Sequence, residues 1–391
     1  MSRRDSNKQF LRRVLRLYYS KRPLVEPVSL HSREIAVVDL ESEAYIRHLN
    51  FTSMAQLYSY ILGEKTPLHL YYSSALYEDP SAENMGSKGW RGSELIFDID
   101  VDHLPGCGRV IGFCVEDDLT VEGGVGECPS GGKPVSLSII EPECFKKGVE
   151  EAFKLKEILE EDLGFREVKV YFSGNRGFHI RVSDESALDL TREARAFIAD
   201  YVSCEGMDAE RVFPAQTFGR ARFVYLTGNE RGVRARVLKR ALEMGVVEEL
   251  EPLGLSRPSY KRVADRERLY RIPAEYLSQL LSQVCVSVDK VVTADVTRLS
   301  RFENSINGKA GLKVAEVSDS MRDEFELREF HAWSGKIVVT PSITFTGLRV
   351  LDAKLDLKKG MRLELEAPYA LYLILRKLAN FITDKGVEPE V

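Results

Sequence analysis

The chain has 391 residues, 44% of them hydrophobic and 29% charged, with 55 Lys and Arg against 60 Asp and Glu for a formal charge of −5. This length suits two or three domains, or one large core with an insertion, and the apolar content excludes a disordered or collagen-like chain. No apolar run reaches the roughly 18 residues that cross a bilayer, and a near-neutral total argues at first against a nucleic-acid partner.

The N-terminal segment predicts a basic amphipathic helix over Phe10 to Tyr19, ended by Pro23 and Pro27. Arginines where a signal peptide needs an apolar core mark it as mature, cytoplasmic sequence. Strands are expected at Glu34 to Asp39 and His69 to Ser73, around a helix at Ser53 to Leu62. The segment ELIFDIDV, Glu94 to Val101, follows as a strand. From Pro105 to Pro142 the sequence becomes Gly-rich loop, and Cys107, Cys114, Cys128 and Cys144 fall in or beside it. Helical spacing returns from Phe145 to Leu163. Glu167 to Ser173 and Gly177 to Val182 then alternate about SGNRG as a hairpin. Residues 204–284 read as an arginine-rich helical insertion, with Cys204 and Cys285 as buried packing residues. Val284 to Val291 resumes a strand pattern, and the mixed tail ends in a helix from about Pro368 to Ile382.

Three stretches carry chemistry. In FDID, strand alternation turns Phe97 and Ile99 to one face and Asp98 and Asp100 to the other. Two carboxylates so placed either hold a hard divalent cation such as Mg2+ or Mn2+, or simply face water at a strand end. In YFSGNRGFHIRV, glycines at 174 and 177 allow a tight turn, and Ser173, Arg176 and His179 converge on an anion. The alternative is an ordinary hairpin with an exposed Arg. In VSVDKVVTADVTRLSRFENSINGKAGLKV, Asp289 ends an alternating run, and Arg298, Arg301, Lys309 and Lys313 follow with Glu303 as the one acid between Arg298 and Lys313. A carboxylate before a basic loop suits a metal-triphosphate site; a charge run by itself is commonly a solvated face.

In this order, the three stretches resemble the three motifs of the small, catalytic subunit of DNA primase of the archaeal and eukaryotic type. HSREIAVVD, YIRHLNF, YYSSALYEDP and KGWRGSELIFDID extend the resemblance over most of residues 30–315. Each motif alone is common; the combination is specific, and it looks closest to the archaeal members. The resemblance implies an α+β fold: a mixed β-sheet catalytic core with a helical subdomain inserted at 204–284 between core segments 1–203 and 285–391, and a zinc-binding loop at about 103–144. It implies that Asp98, Asp100 and Asp289 hold two divalent ions, Mg2+ or Mn2+, for nucleotidyl transfer. Ser173, Arg176 and His179, with Arg301 and Lys309, match the nucleotide-triphosphate contacts. Glu34 and Arg47 occupy positions close to the family's active site. Asn307 stands where many members have His, and Asn175 where some place a second Arg.

By location the cysteine cluster matches the family's zinc module, although six, thirteen and fifteen residues separate its cysteines rather than the compact pairs of common zinc sites. The expectation is one structural Zn2+ on Cys107, Cys114, Cys128 and Cys144, with His103 or Glu141 as substitutes. The implied partners are a large primase subunit, single-stranded DNA template and nucleoside triphosphates, with no membrane. The implied activity is synthesis of short primers for replication, of RNA with DNA as the open alternative. A repair-type primase-polymerase and a catalytically silent nucleic-acid-binding subunit are the competing functions. The charge of −5 also hides local basic blocks: eight basic residues against one acid in the first 22, seven against one over Arg220 to Arg240, and six against two over Arg257 to Arg271. Such blocks can follow a nucleic-acid backbone.

Overall fold

The computed structural model describes residues 3–250 and 268–391. Among them, no helix is long and apolar enough to cross a membrane. The fold is α+β, but the strand pairings that define its sheets are antiparallel rather than mixed. Two four-stranded sheets position the functional residues. In the first, Leu299–Arg301, Pro67–Ser73, Ile35–Asp39 and Tyr45–Leu49 lie side by side in that order. In the second the order is Ala315–Glu316, Val168–Phe172, Gly177–Val182 and Leu95–Asp100. Arg181 joins the two: it is 5% exposed, donates to the Tyr72 hydroxyl, and donates through Nη2 to the Arg301 carbonyl at 2.8 Å.

The helix Pro142–Glu157 covers the second sheet. Proline opens it, Glu143 lies in its first turn and Lys154 and Lys156 in its last, which suits the helix dipole. Phe145, Val149, Ala152 and Phe153 are its buried face. Gly148 lets it approach, since a Cβ there would stand 2.6 Å from Val101 Cγ2 and 2.8 Å from the Phe178 ring. The basic helix begins earlier than its apolar stripe indicates, spanning Arg3–Ser20. It lies against the C-terminal strand Ala379–Pro389, with the Phe10 and Phe381 rings stacked at 3.9 Å. Two of its arginines are engaged, Arg12 with Glu41 at 2.6 Å and Arg13 with Asp384 at 2.8 Å, and these help to seat the helix.

Several expectations need correction. Within 204–284, the described residues include a four-stranded sheet, Ala215–Phe218, Ala221–Thr227, Leu269–Pro273 and Glu248–Leu250, beside the helices Gly232–Glu243 and Leu277–Val284. Phe213, Val224, Leu226, Val237, Tyr270, Ile272 and Leu280 gather there in a small core of their own. Most of the basic block Arg257 to Arg271 lies outside the described residues, and Arg234, Arg236 and Arg240 pair with Glu230, Asp162 and Glu243. The C-terminal helix stops at Leu375, and a strand follows where helix was expected.

The Gly-rich stretch after the acid strand is a three-stranded sheet, Leu119–Glu122, Arg109–Cys114 and Val135–Ile139. The structure does not gather the four cysteines into one ligand set. Cys107 is bonded to Cys144 and Cys114 to Cys128, so the four thiolates a tetrahedral site needs are absent. Among the described residues, the group here with metal-ligand spacing is Cys114, Asp117 and Cys128, without Cys107 and Cys144. The substitutes are also placed otherwise, with Glu141 paired to Arg349 and His103 beside Asp100. Cys204 and Cys285 are likewise bridged, not merely packed. Reduction is expected to destabilise the protein by about 2–4 kcal/mol for each bridge lost. Melting with and without a strong thiol reductant measures this, and metal analysis of desalted protein decides between bridges and zinc, a ratio near zero sinking the zinc expectation.

Candidate active site

A cavity of about 250 Å3 opens where the two main sheets meet. The acid strand and the hairpin strand pair so that His179 lies opposite Asp98 and Gly177 opposite Asp100. Phe97 and Ile99 are 0% and 2% exposed in the core, while Asp98 and Asp100 line the cavity as strand alternation predicts. Burial raises both carboxyl pKa values. For Asp98, nearby Arg298 opposes the shift and Asp289 adds to it; for Asp100, the neighbouring Asp98 charge adds to it.

The turn after Val168–Phe172 holds the anion-seeking groups. Gly174 has φ +72°, and a Cβ there would stand 2.9 Å from both the Asn307 Cβ and the Leu312 carbonyl. Ser173 Oγ accepts from the Gly177 N–H at 3.2 Å. Arg176 Nη1 lies 2.6 Å from Asp102 Oδ2, and Nε lies 3.9 Å from Asp100 Oδ1. His179 Nε2 is 3.6 Å from Asp98 Oδ1. Burial, then the charges of Arg301, Arg181 and Arg298, push the imidazole down to about 3, so it is neutral at physiological pH and carries a single N–H donor.

The opposite wall comes from the first sheet and the loop after it. Arg301 Nη1 meets His69 Nδ1 at 2.9 Å, and its guanidinium lies 4.9 Å above the Tyr71 ring. Desolvation, then the charges of Arg301 and Lys309, lower His69 to about 3, which leaves a neutral acceptor for Arg301. Lys309 lines the cavity; partial desolvation, then Arg301, Arg176 and Arg376, depress its pKa. Asn307 has both polar ends in use: its amide donates to the Ser173 carbonyl at 2.7 Å, and its Oδ1 accepts from the Lys309 N–H at 3.0 Å. It braces the turn against the lysine loop.

The cavity therefore brings together Asp98, Asp100, Ser173, Arg176, His179, Arg301, Asn307 and Lys309. Asp289 stands beside it instead of lining it. The segment before it is extended without a sheet partner, and its carboxylate accepts from the N–H groups of Val291 and Val292, capping the short helix Lys290–Ala294. Its own N–H donates to the Asp98 carbonyl at 3.4 Å, which holds it next to the acid strand. Glu34 is outside the cavity and fully buried, ion-paired to Arg47 at 2.8 Å and Lys88 at 3.2 Å. Arg47 itself borders a neighbouring groove with Tyr45, Tyr71 and Arg298. Sequence reasoning overlooked Asp102, the acid that orients Arg176, and left Arg298 as an undistinguished member of a basic run. The spacing of Asp102 from the acid pair, one further alternation along the chain, was the available signal.

Chemically, the cavity offers two adjacent carboxylates whose charges burial disfavours, facing a semicircle of cationic and neutral donors. The first half suits a divalent cation, which relieves their repulsion, and the second suits phosphate oxygens.

A family model described as DNA primase small subunit matches residues 137–319. Across almost the whole chain, the protein is similar to the DNA primase small subunit PriS of Staphylothermus marinus, at 44% identity over 98% of each chain. It is 32% identical to PriS of Aeropyrum pernix over 93% of this chain and 91% of that one. With PriS of Hyperthermus butylicus it shares 33% identity over 95% and 96%.

Proposed function

The chain belongs to the DNA primase small subunit family, and from that premise we propose that its cavity joins nucleotides into short primers on single-stranded DNA for replication. The observation that carries this reading is the single cavity in which Asp98 and Asp100 face Ser173, Arg176, His179, Arg301 and Lys309. Asp98 and Asp100, with Asp289 beside them, would hold Mg2+ or Mn2+. Such ions supply activation of the attacking hydroxyl and stabilisation of charge on the reacting phosphate and leaving pyrophosphate. The protein's own groups bind and orient: Arg176, Arg301 and Lys309 neutralise the triphosphate, Ser173 and neutral His179 donate to its oxygens, and the braced turn fixes their positions. The reaction class is nucleotidyl transfer without a covalent enzyme intermediate.

We further assign residues 1–203 and 285–391 to one catalytic core with 204–284 inserted, the separate small core of Phe213 to Val284 supporting the division. A large subunit is the expected partner and the cytoplasm the expected location. The test is synthesis from unprimed single-stranded DNA with ribo- or deoxynucleotides, alone and with the large subunit. Products begun de novo support the reading. Extension of supplied primers without initiation, even with the partner, would point to a repair polymerase.

A pH and metal dependence follows. Both cavity carboxylates have raised pKa values in the folded chain, so the folded state holds their protons more tightly than the unfolded state does. Without divalent ions, stability therefore falls as pH rises from the unfolded carboxyl pKa of about 3.9 through the folded values. Mg2+ or Mn2+ should stabilise the protein more at pH 7 than at pH 5, where protons compete. Melting scans of the native chain and of an Asp98→Asn, Asp100→Asn variant check this. The variant should melt higher than the native chain in chelator at pH 7 and lose the metal response.

A further inference from the structure

Beside the nucleotide cavity lies a second, smaller cavity of about 30 Å3, which shares Asn175 and Arg176 with it and is also lined by Arg376. Arg376 follows the helix Ala367–Leu375, more than 60 residues beyond the last motif that the sequence singles out. Its Nη2 donates to Asn175 Oδ1 at 3.1 Å, and its guanidinium lies 5.4 Å from the centroid of the Tyr372 ring, in the last turns of that helix. Among the described residues its hydrogen bond is to an amide oxygen rather than a carboxylate, and its buried Nε has no hydrogen-bond partner.

We propose that Arg376 belongs to the nucleotide site, where it orients the Asn175 amide and extends the cationic lining toward the terminal phosphates of a nucleoside triphosphate. This inference rests on the reading of the cavity as a nucleotide site. Asn175 has one acceptor and one NH2 group. With the acceptor held by Arg376, the NH2 group is what remains for the cavity that Asn175 lines. A side chain that would otherwise be an indifferent polar contact becomes a polarised donor backed by a full positive charge. Arg376 is also near enough to Lys309 to depress its pKa, after desolvation and the charges of Arg301 and Arg176. Four cations thus crowd one end of the site, with Asp100 as the opposing acid felt there. Mutual repulsion of this kind is relieved by a polyanion and is poorly relieved by a monoester. The ligand it selects is the β,γ end of a triphosphate, and afterwards pyrophosphate.

The competing role for Arg376 is structural, as a cation at a helix C-terminus. Calorimetric binding of ATP and AMP to the full chain in Mg2+ separates the two. Arg376→Gln is expected to weaken ATP about tenfold, the scale of one lost charged hydrogen-bond donor, and to leave AMP unchanged. Arg376→Lys should recover much of the loss, and in primer synthesis the glutamine variant should raise the nucleotide KM with kcat nearly constant. A lower melting temperature with an unchanged ratio of ATP to AMP affinity overturns the inference, as does an equal loss for both ligands. If the native chain itself does not prefer ATP to AMP, the nucleotide-site reading falls with it; if it does and Arg376→Gln binds ATP normally, this inference alone falls.

Discussion

Replacing Asp98 or Asp100 with alanine is expected to reduce primer synthesis by at least about 1,000-fold, because a lost metal ligand removes several kcal/mol of transition-state stabilisation, while the fold persists. The second half of that expectation comes from burial. Both carboxyls have raised pKa values, so their charged forms are a cost to the metal-free fold, and deleting them does not remove a stabilising pair. Asp289 requires a different substitution. Its carboxylate also caps a helix by accepting from Val291 and Val292 at 2.9 and 3.1 Å, so alanine would confound chemistry with about 1 kcal/mol of lost capping. Asparagine keeps a capping oxygen and removes the charge. Asp289→Asn should melt like the native chain and fail to synthesise. Measured rates from unprimed template, alongside melting curves, check all three. Undiminished synthesis by Asp98→Ala would refute the assignment of the cavity.

What the sequence discloses and what it hides divides along the range of the interactions. The acid strand and the hairpin were legible because alternation over six residues and two turn glycines are local signals; the register that sets Asp98 against His179 joins strands far apart in sequence and was not among them. Asp289 was misplaced for the same reason. Val284, Val286 and Val288 alternate like a strand, yet the segment makes single bonds to the Val202 and Asp98 chains and no ladder. The strands within 204–284 include charged, exposed runs such as Glu248–Leu250, which carry little apolar pattern and depend on neighbours distant in sequence. The disulfides were unreadable on two counts. Four clustered cysteines allow three pairings, and a cysteine in a loop of this kind reads equally as a metal ligand or as one half of a bridge. Arg376 gave no local signal, since only folding brings the end of a C-terminal helix to the Asn175 turn.

Glu34 marks the opposite case from the cavity acids: its loss should damage the fold first. It is fully buried, and although burial pushes its carboxyl up, hydrogen bonds from Arg47 and the His48 N–H and the charges of Arg47 and Lys88 outweigh this and hold it below its ordinary range. Its contribution is therefore present at neutral pH and lost as pH falls from about 4.3 through the depressed folded pKa. The two cations differ in what they can do without it. Arg47 is 35% exposed in its side chain and can turn to solvent, whereas Lys88 is fully buried, with its ammonium donating to the Pro80 carbonyl and lying 5.1 Å from the Tyr77 ring. Glu34→Ala thus strands an ammonium in the core and should cost about 3–5 kcal/mol. Adding Lys88→Met removes the stranded charge and should restore a large part of that loss, because well-packed apolar replacements of buried ion pairs are commonly neutral. Denaturant unfolding of the two single variants and the double variant measures the coupling. Near-additive losses would mean that Glu34 does not stabilise Lys88. Recovery in the double variant, with nucleotide affinity close to native, would identify Glu34 as the charge that secures the first sheet beneath Arg47 rather than a group that meets the substrate.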